Sequence, residues 1–404
     1  MSKRSKHRIA IIGAGLAGLS AAYELRDKAE VTIFEREDRI GGRVLTSHKP
    51  PGEHGAEFFL GSEKALHHLL YELGIAPLPC DKAWPGYFFN NKMAQGKPEQ
   101  AVKELLPSKS ACRAAKLFQF VRREQWPKTK KRFDQWLSSF LEGNQAATRF
   151  VRMLLAGETC APLHHLSTQD GLDCLWSILN DMWHRIDGGS EHLVTALARR
   201  SRANLRLNAH VNGVGAVRDG ARVRWKQSGG QESDIFQTAI ITTPNGERLL
   251  GKPVRGHFHG YVSILLAYHD QPRVKGAPGF DLANGLYTDG PLNYMQLATR
   301  SKPPYVLRIL IPNAGEKLQW EASAVVAFCI QLLQPIIANA DQFYVSSVKA
   351  WKHGLPCGGS KKSFQKVGSR VYLAGDRFGQ WPSMDAAVAS GRLVAQECDD
   401  SWLK

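Results

Sequence analysis

Three glycines carry the first chemistry in this chain. Gly13-Ala14-Gly15-Leu16-Ala17-Gly18 follows a short apolar run at residues 8–12 and opens a helical pattern from about Leu16 to Arg26. In such a strand–turn–helix, Gly13 permits the tight turn, Gly15 lets a pyrophosphate approach the backbone, and Gly18 lets helix and strand pack closely. The helix start supplies free N–H groups and a partial positive charge for phosphates. Glu35 stands 22 residues after Gly13, at the end of a second strand pattern over 30–35. A carboxylate there binds both ribose hydroxyls of an adenosine and repels a 2′-phosphate, so NADP is disfavoured.

Further motifs go beyond a plain nicotinamide site. In Arg39-Ile40-Gly41-Gly42-Arg43 the paired glycines let a loop lie against a ligand, and Arg43 can hold a phosphate by a forked contact. Gly55-Ala56-Glu57-Phe58-Phe59 follows, preceded by Glu53-His54. Near the other end stand Val371-Tyr372-Leu373-Ala374-Gly375-Asp376 and then Pro382-Ser383-Met384-Asp385-Ala386-Ala387-Val388-Ala389-Ser390-Gly391. Ile186-Asp187-Gly188-Gly189-Ser190 and the stretch around Val211 are weaker echoes.

Together these motifs resemble the flavin amine oxidase superfamily, which includes monoamine and polyamine oxidases, protoporphyrinogen oxidase and phytoene desaturases. The resemblance covers about 130 residues; the regions 85–185 and 250–350 match only in outline. It implies FAD, held by Gly13 to Gly18, Glu35, Arg36, Gly41, Gly42, Arg43, Gly55, Ala56, Glu57 and Phe58. It adds Val211 against the adenine, Gly375 and Asp376 at the ribityl-phosphate, and Ser383 and Met384 at a helix start facing the flavin pyrimidine. Phe59, Trp351 and Trp381 are the implied walls around the reacting centre. Two departures stand out. Amine oxidases proper carry a lysine near flavin N5, where the strand pattern of 261–270 places Ser263, with no lysine between 253 and 274. Cys357 lacks the surroundings of the family's flavin-linking cysteine, so the FAD is expected to be non-covalent.

The positioning elements follow from pattern. A helix is expected over 62–73, capped by Ser62 and stopped by Gly74, and a strand over 86–93 entering an Asn-Asn turn. Residues 101–186 read as helical and aromatic. Strands are expected at 205–207, 211–217, 221–227, 235–242, 261–270, 305–311 and 370–374, and helices at 191–199, 321–338 and 383–398. The fold class is α/β, a Rossmann-like FAD domain with an inserted α+β substrate domain. The FAD part takes 7–80, 187–250 and 363–404; the cap takes 81–186 and 251–362.

Composition sets outer limits. The 404 residues are 43% hydrophobic and 22% charged, a globular balance. No apolar run is long enough to span a membrane. The basic start, Met1 to Arg8, is not read as a signal peptide, because the apolar run behind it carries meaningfully spaced glycines. The seven scattered cysteines point to a reducing, cytoplasmic compartment rather than to disulfides or zinc. His67-His68 and His164-His165 are adjacent pairs whose side chains do not converge on a helix, which suits surface or cap roles. Net charge is +16, and 101–132 alone holds ten Lys/Arg against Glu104 and Glu124. Ala114, Leu117, Phe118 and Val121 recur there at helical spacing. This stretch suggests contact with an acidic lipid surface or acidic carrier; no nucleic-acid partner is expected. Three functions stay open. They are amine oxidation by hydride transfer to flavin N5, desaturation of a C–C bond in an isoprenoid or tetrapyrrole-like substrate, and a non-catalytic module for an anionic partner.

Overall fold

A computed structural model describes residues 7–80, 84–254, 256–277, 279–299, 302–357, 362–379 and 381–400. The basic residues 1–6, and the residues following Cys357 up to 361, lie outside these.

A six-stranded sheet runs in the order 204–206, 29–34, 7–12, 238–241, 371–373 and 365–367. All pairings are parallel except the last. Its inner strands are mostly apolar because both faces are buried there, while the edge strands 204–206 and 365–367 carry Arg206 and Lys366. Ile9, Ile11, Val31 and Ile33 pack beneath helices Leu16–Leu25, Lys64–Leu73, Ser190–Ser201 and Met384–Asp400. Ala10, Ile12 and Phe34 face the other way, onto a three-stranded antiparallel sheet through Val211, Val223 and Trp225. The strand expected over 235–242 is two strands, broken at Gln237: Gly230–Phe236 closes the small sheet, and Thr238–Ile241 joins the large one.

The second sheet has seven strands, in the order 343–357, 257–268, 305–311, 294–297, 286–288, 86–89 and 92–95. Side chains alternate across it. Val262, Ile264 and Leu266 pack with Met295, Leu307 and Ile309 under the helix Ala322–Leu333, which is shorter than the expected 321–338. Tyr261, Ser263, Arg308, Tyr294 and Gln296 therefore take the opposite face. Asn90 and Asn91 make the expected turn, both at positive φ. Five helices between Pro98 and Asn180 form a cap around Phe118, Phe133 and Phe150. Ala114, Leu117, Phe118 and Val121 of helix Ser108–Arg122 point into that core.

One local expectation is corrected. Ser62 does not cap the helix Lys64–Leu73; Glu63 holds the cap position, and the Ser62 hydroxyl donates to Asp181. His164 and His165 are exposed on the cap, as expected, and they cluster with His257 and His259, His165 Nδ1 lying 3.0 Å from His259 Nε2. The ring nitrogens do not converge as metal ligands among the described residues.

Candidate active site

One cavity of about 1010 Å3 runs from the C-terminal ends of the parallel strands to the face of the seven-stranded sheet. That is the upper end of the range of ~300–1,000 Å3 for ligand clefts. Of the site residues read from sequence, all but Ala14 and Gly18 line it. Gly18 instead serves packing: a Cβ there would lie 2.1 Å from the Gly13 carbonyl oxygen. Gly15 differs. A Cβ there would meet nothing closer than Gly42 Cα at 4.0 Å. Packing within the protein does not demand glycine at this position, so its bareness keeps the cavity open beside the backbone. The helix behind it begins at Gly15 with no side-chain cap and no acid in its first turn. Its first N–H groups suit an anion. A dinucleotide's diphosphate fits this cradle.

At the far end of the cradle, Glu35 accepts from the backbone N–H of Ala14 at 2.8 Å and of Glu37 at 3.0 Å. The carboxylate is thereby fixed at the cavity wall, beside Val211 on strand His210–Val217. Arg36 also lines this end.

Arg43 departs from its expected role. Its Nη1 donates to Asp376 Oδ2 and to the Gly354 carbonyl, both at 2.7 Å, and its Nη2 donates to Asp376 Oδ1 at 2.6 Å. The fork is filled by a carboxylate from the C-terminal motif, and a forked phosphate contact is not available in this arrangement. Glu57 likewise faces the cavity but is held between Arg308 and Arg185. Gly375 is fastened to the last helix through the Ser390 hydroxyl, 2.9 Å from its N–H. Ser383 and Met384 bring the start of that helix to the cavity, and Glu63 meets it there. Burial pushes the Glu63 carboxyl up to about 7, with Asp385 and Asp181 adding repulsion against hydrogen bonds from Ser383 and the Leu60 amide.

The three aromatic candidates share the cavity. Phe59 is a wall element, stacked on His184 and edge-on to His67. Trp351 is nearly buried, its Nε1–H donating to the His54 carbonyl at 2.9 Å. Trp381 is partly exposed and packs against the cap core.

The second departure concerns Ser263. Its side chain is fully buried and does not line the cavity; its Oγ is 3.2 Å from His54 Nδ1. Directly opposite it, on the long strand Phe343–Cys357, stands Lys349, which does line the cavity. Its Nζ lies 5.1 Å over the Trp351 ring. A cavity lysine is therefore present, supplied by the neighbouring strand. The signal was the Lys-x-Trp alternation, which places both side chains on one strand face. His54 sits beneath this face, its other nitrogen 2.8 Å from Ser347 Oγ. Burial, then the charges of Arg308 and Lys349, lower its imidazole to about 4.

Glu158, Tyr287, Tyr294 and Gln296 complete the wall remote from the phosphate cradle, and Glu158 was not legible as a site residue. It lies near the end of helix Gln145–Thr159, where only tertiary contact brings it to the sheet.

Comparison with known proteins gives these features a family. The putative flavin-containing monoamine oxidase AofH of Mycobacterium tuberculosis is 27% identical over 270 residues, 60% of this chain and 58% of that one. The coproporphyrinogen III oxidase of the same organism is 40% identical over 72 residues, 16% of each chain. The matched region thus spans less than two thirds of these curated relatives. Among solved structures, cyclohexylamine oxidase from Brevibacterium oxydans shares the fold, with a TM-score of 0.76 and 16% identity over 99% of this chain and 100% of that one. Residues 16–399 match the flavin containing amine oxidoreductase family, and the chain belongs to it.

Proposed function

We propose that the chain is an FAD-dependent oxidoreductase that holds its FAD non-covalently and oxidises an amine. The observation that carries the reading is the single cavity joining Glu35 and Val211 at one end to Trp351, Trp381 and Lys349 at the other. Residues 7–80, 187–250 and 363–404 are read as the FAD-binding part, and 81–186 with 251–362 as the substrate part, so the cavity lies along their seam. Bound FAD supplies the acceptor for a hydride leaving the substrate C–H next to nitrogen.

The chain's own residues bind, orient and dehydrate. Glu35 takes the adenosine ribose, the bare helix start at Gly15 takes the diphosphate, and the helix at Met384 presents its positive end to the pyrimidine edge. Tyr261, Trp351 and Trp381 give flat walls that orient the substrate and exclude water. His54, held neutral, adds no charge beneath the floor.

Purified protein is expected to be yellow, to release FAD on denaturation, and to bleach anaerobically with an amine while forming ammonia on hydrolysis of the imine. Protein that is colourless and takes up no FAD sinks the reading. A second reading, C–C oxidation of a tetrapyrrole-like substrate, draws on the 382–391 helix sequence and on the coproporphyrinogen III oxidase relative. Bleaching without ammonia favours it. The binding-module reading keeps only the +16 charge in its favour.

A further inference from the structure

One end of the cavity depends on a strand that is paired on one side. Strand Phe343–Cys357 is the edge of the seven-stranded sheet and pairs with His257–Tyr268. Its register shifts at two places, between His259 and Tyr261 and between Ala267 and Tyr268. Ser347, Lys349 and Trp351 pair between these two shifts. They alternate along the strand and so share one face. A slip of one residue would turn all three to the other face.

His54 grips the two residues that flank Lys349 on that face. Its ring Nε2 lies 2.8 Å from Ser347 Oγ, and its backbone carbonyl accepts from Trp351 Nε1–H at 2.9 Å. Its ring Nδ1 lies 3.2 Å from Ser263 Oγ, on the partner strand directly opposite Lys349. One side chain thereby spans both strands. His54 is 3% exposed, and its own segment is anchored along its length. Glu53 accepts from the Ser190 amide, the His54 N–H donates to the Leu45 carbonyl, and the Gly55 carbonyl accepts from Arg308, each at 2.9 Å. A neutral imidazole offers one donor and one acceptor, which two hydroxyls can both use. Burial, then the charges of Arg308 and Lys349, keep this ring neutral.

We propose that His54 is a positioning residue: it clamps the segment from Ser347 to Trp351 so that Lys349 and Trp351 stand together at the reacting end of the cavity. This rests on the flavin reading above and deepens it. His54 itself does not line the cavity. It acts through those two side chains and not on the substrate.

The test uses the FAD-loaded protein and three variants, His54→Leu, His54→Gln and Ser347→Ala. The readouts are acrylamide quenching of tryptophan fluorescence and reoxidation of photoreduced flavin by oxygen, and neither needs a substrate. The Trp351 share of the quenching is the part that disappears in a Trp351→Phe background. In His54→Leu, Trp351 is expected to lose its protection from acrylamide. Reoxidation is expected to slow by about tenfold at unchanged FAD content, since misplacement by about 1 Å costs up to 10²-fold. In a Lys349→Met background the same substitution is expected to add little further slowing, a non-additivity that a general loss of packing would not show. His54→Gln, whose amide can meet a hydroxyl, is expected to restore part of both. Ser347→Ala is expected to move both in the same direction by less, and it decides the matter if His54→Leu does not fold. Trp351 that stays protected, reoxidation at the parent rate, or a slowing as large in Lys349→Met as in the parent overturns the clamp. If the parent takes up no FAD, the flavin reading falls, and the quenching comparison alone decides for or against the clamp.

Discussion

Arg43 and Asp376 stand 333 residues apart in sequence and form a two-pronged ion pair. The pair ties the Gly-Gly-Arg loop to the end of strand Val371–Leu373, both of which line the cavity. Asp376 is nearly enclosed and Arg43 less so, with side-chain exposures of 9% and 29%. Removing one partner strands the other, at a cost of about 1–3 kcal/mol after discounting for the exposed side. Asp376→Asn is therefore expected to lower the urea midpoint of the cofactor-free protein as well as FAD retention. Glu35→Ala is expected to weaken FAD retention by a similar ~1–3 kcal/mol with a smaller effect on the urea midpoint. If the two variants behave alike in both measurements, the bracing role of the ion pair is wrong.

Lys349 is expected to govern how the reduced enzyme meets oxygen. It lines the cavity opposite Ser263, with no carboxylate within ion-pair distance among the described residues. A fixed cation stabilises negative charge developing on a reacting oxygen species. Lys349→Met is expected to slow reoxidation by roughly 10–100-fold in stopped-flow mixing with oxygenated buffer, while anaerobic reduction changes little. Equal reoxidation rates in parent and variant remove the lysine from this role.

Sequence periodicity served best where burial is one-sided or complete. The strands 7–12 and 29–34 were legible because both faces of the parallel sheet are buried, leaving a continuous apolar run. Gly13, Gly15 and Gly18 were legible because each answers a different local demand. The strand Phe343–Cys357 was not. It lies at the edge of its sheet, where Lys349, Lys352, His353 and Pro356 are tolerated and blur the alternation. Ser263, across from it, was misplaced for the same reason, whereas Trp351 on it lines the cavity as expected. Lys349 was overlooked because its own strand was not seen, and Glu158 because nothing local ties the end of a cap helix to a sheet more than a hundred residues on.

Trp381 is a test of placement. It lines the cavity, packs against the cap core and sits just before the helix Met384–Asp400. Trp381→Ala opens the wall without touching the diphosphate cradle. Flavin reduction by substrate is expected to slow by about tenfold or more, with FAD content unchanged, because misplacement by about 1 Å costs up to 10²-fold. A parent-like reduction rate excludes Trp381 from orienting the substrate.

The basic stretch makes a prediction about surfaces. In helix Ser108–Arg122 the apolar side is consumed by the cap core, while Lys109 and Lys116 stay exposed. Arg113, Arg122 and Arg132 are paired with Glu142, Glu99 and Asp134. A face with charge but no apolar anchor binds by screened attraction alone. The protein is expected to sediment with anionic phospholipid vesicles at low salt and to leave them at about 0.5 M salt, where the screening length is only a few ångströms. Lack of sedimentation at low salt rejects the lipid contact.

His54 and Glu63 are expected to act in opposite directions on stability against pH. His54 is 3% exposed and its imidazole is lowered from 6.5 to about 4. The unfolded chain binds a proton below 6.5 that the folded chain refuses until about 4. His54 therefore contributes fully above 6.5, and its contribution of about 3 kcal/mol is lost as pH falls towards 4. Glu63 is 9% exposed and raised from 4.5 to about 7. The folded chain keeps its proton where the unfolded chain has released it, so this contribution of about 3 kcal/mol is present below 4.5 and lost as pH rises through 7. Between 4.5 and 6.5 the two slopes oppose each other. Glu63→Gln removes one contribution to the falling arm, which Glu158 shares, so in urea unfolding of the cofactor-free protein the slope of stability against pH is expected to shift upward relative to the parent's, by about 1.4 kcal/mol per unit. His54→Asn removes one contribution to the rising arm, which His259 shares, and tilts the curve the other way. Parallel pH curves for parent and Glu63→Gln would mean that the carboxyl at the start of the last helix is charged in the folded protein across this range, and that its proposed proton is not held there.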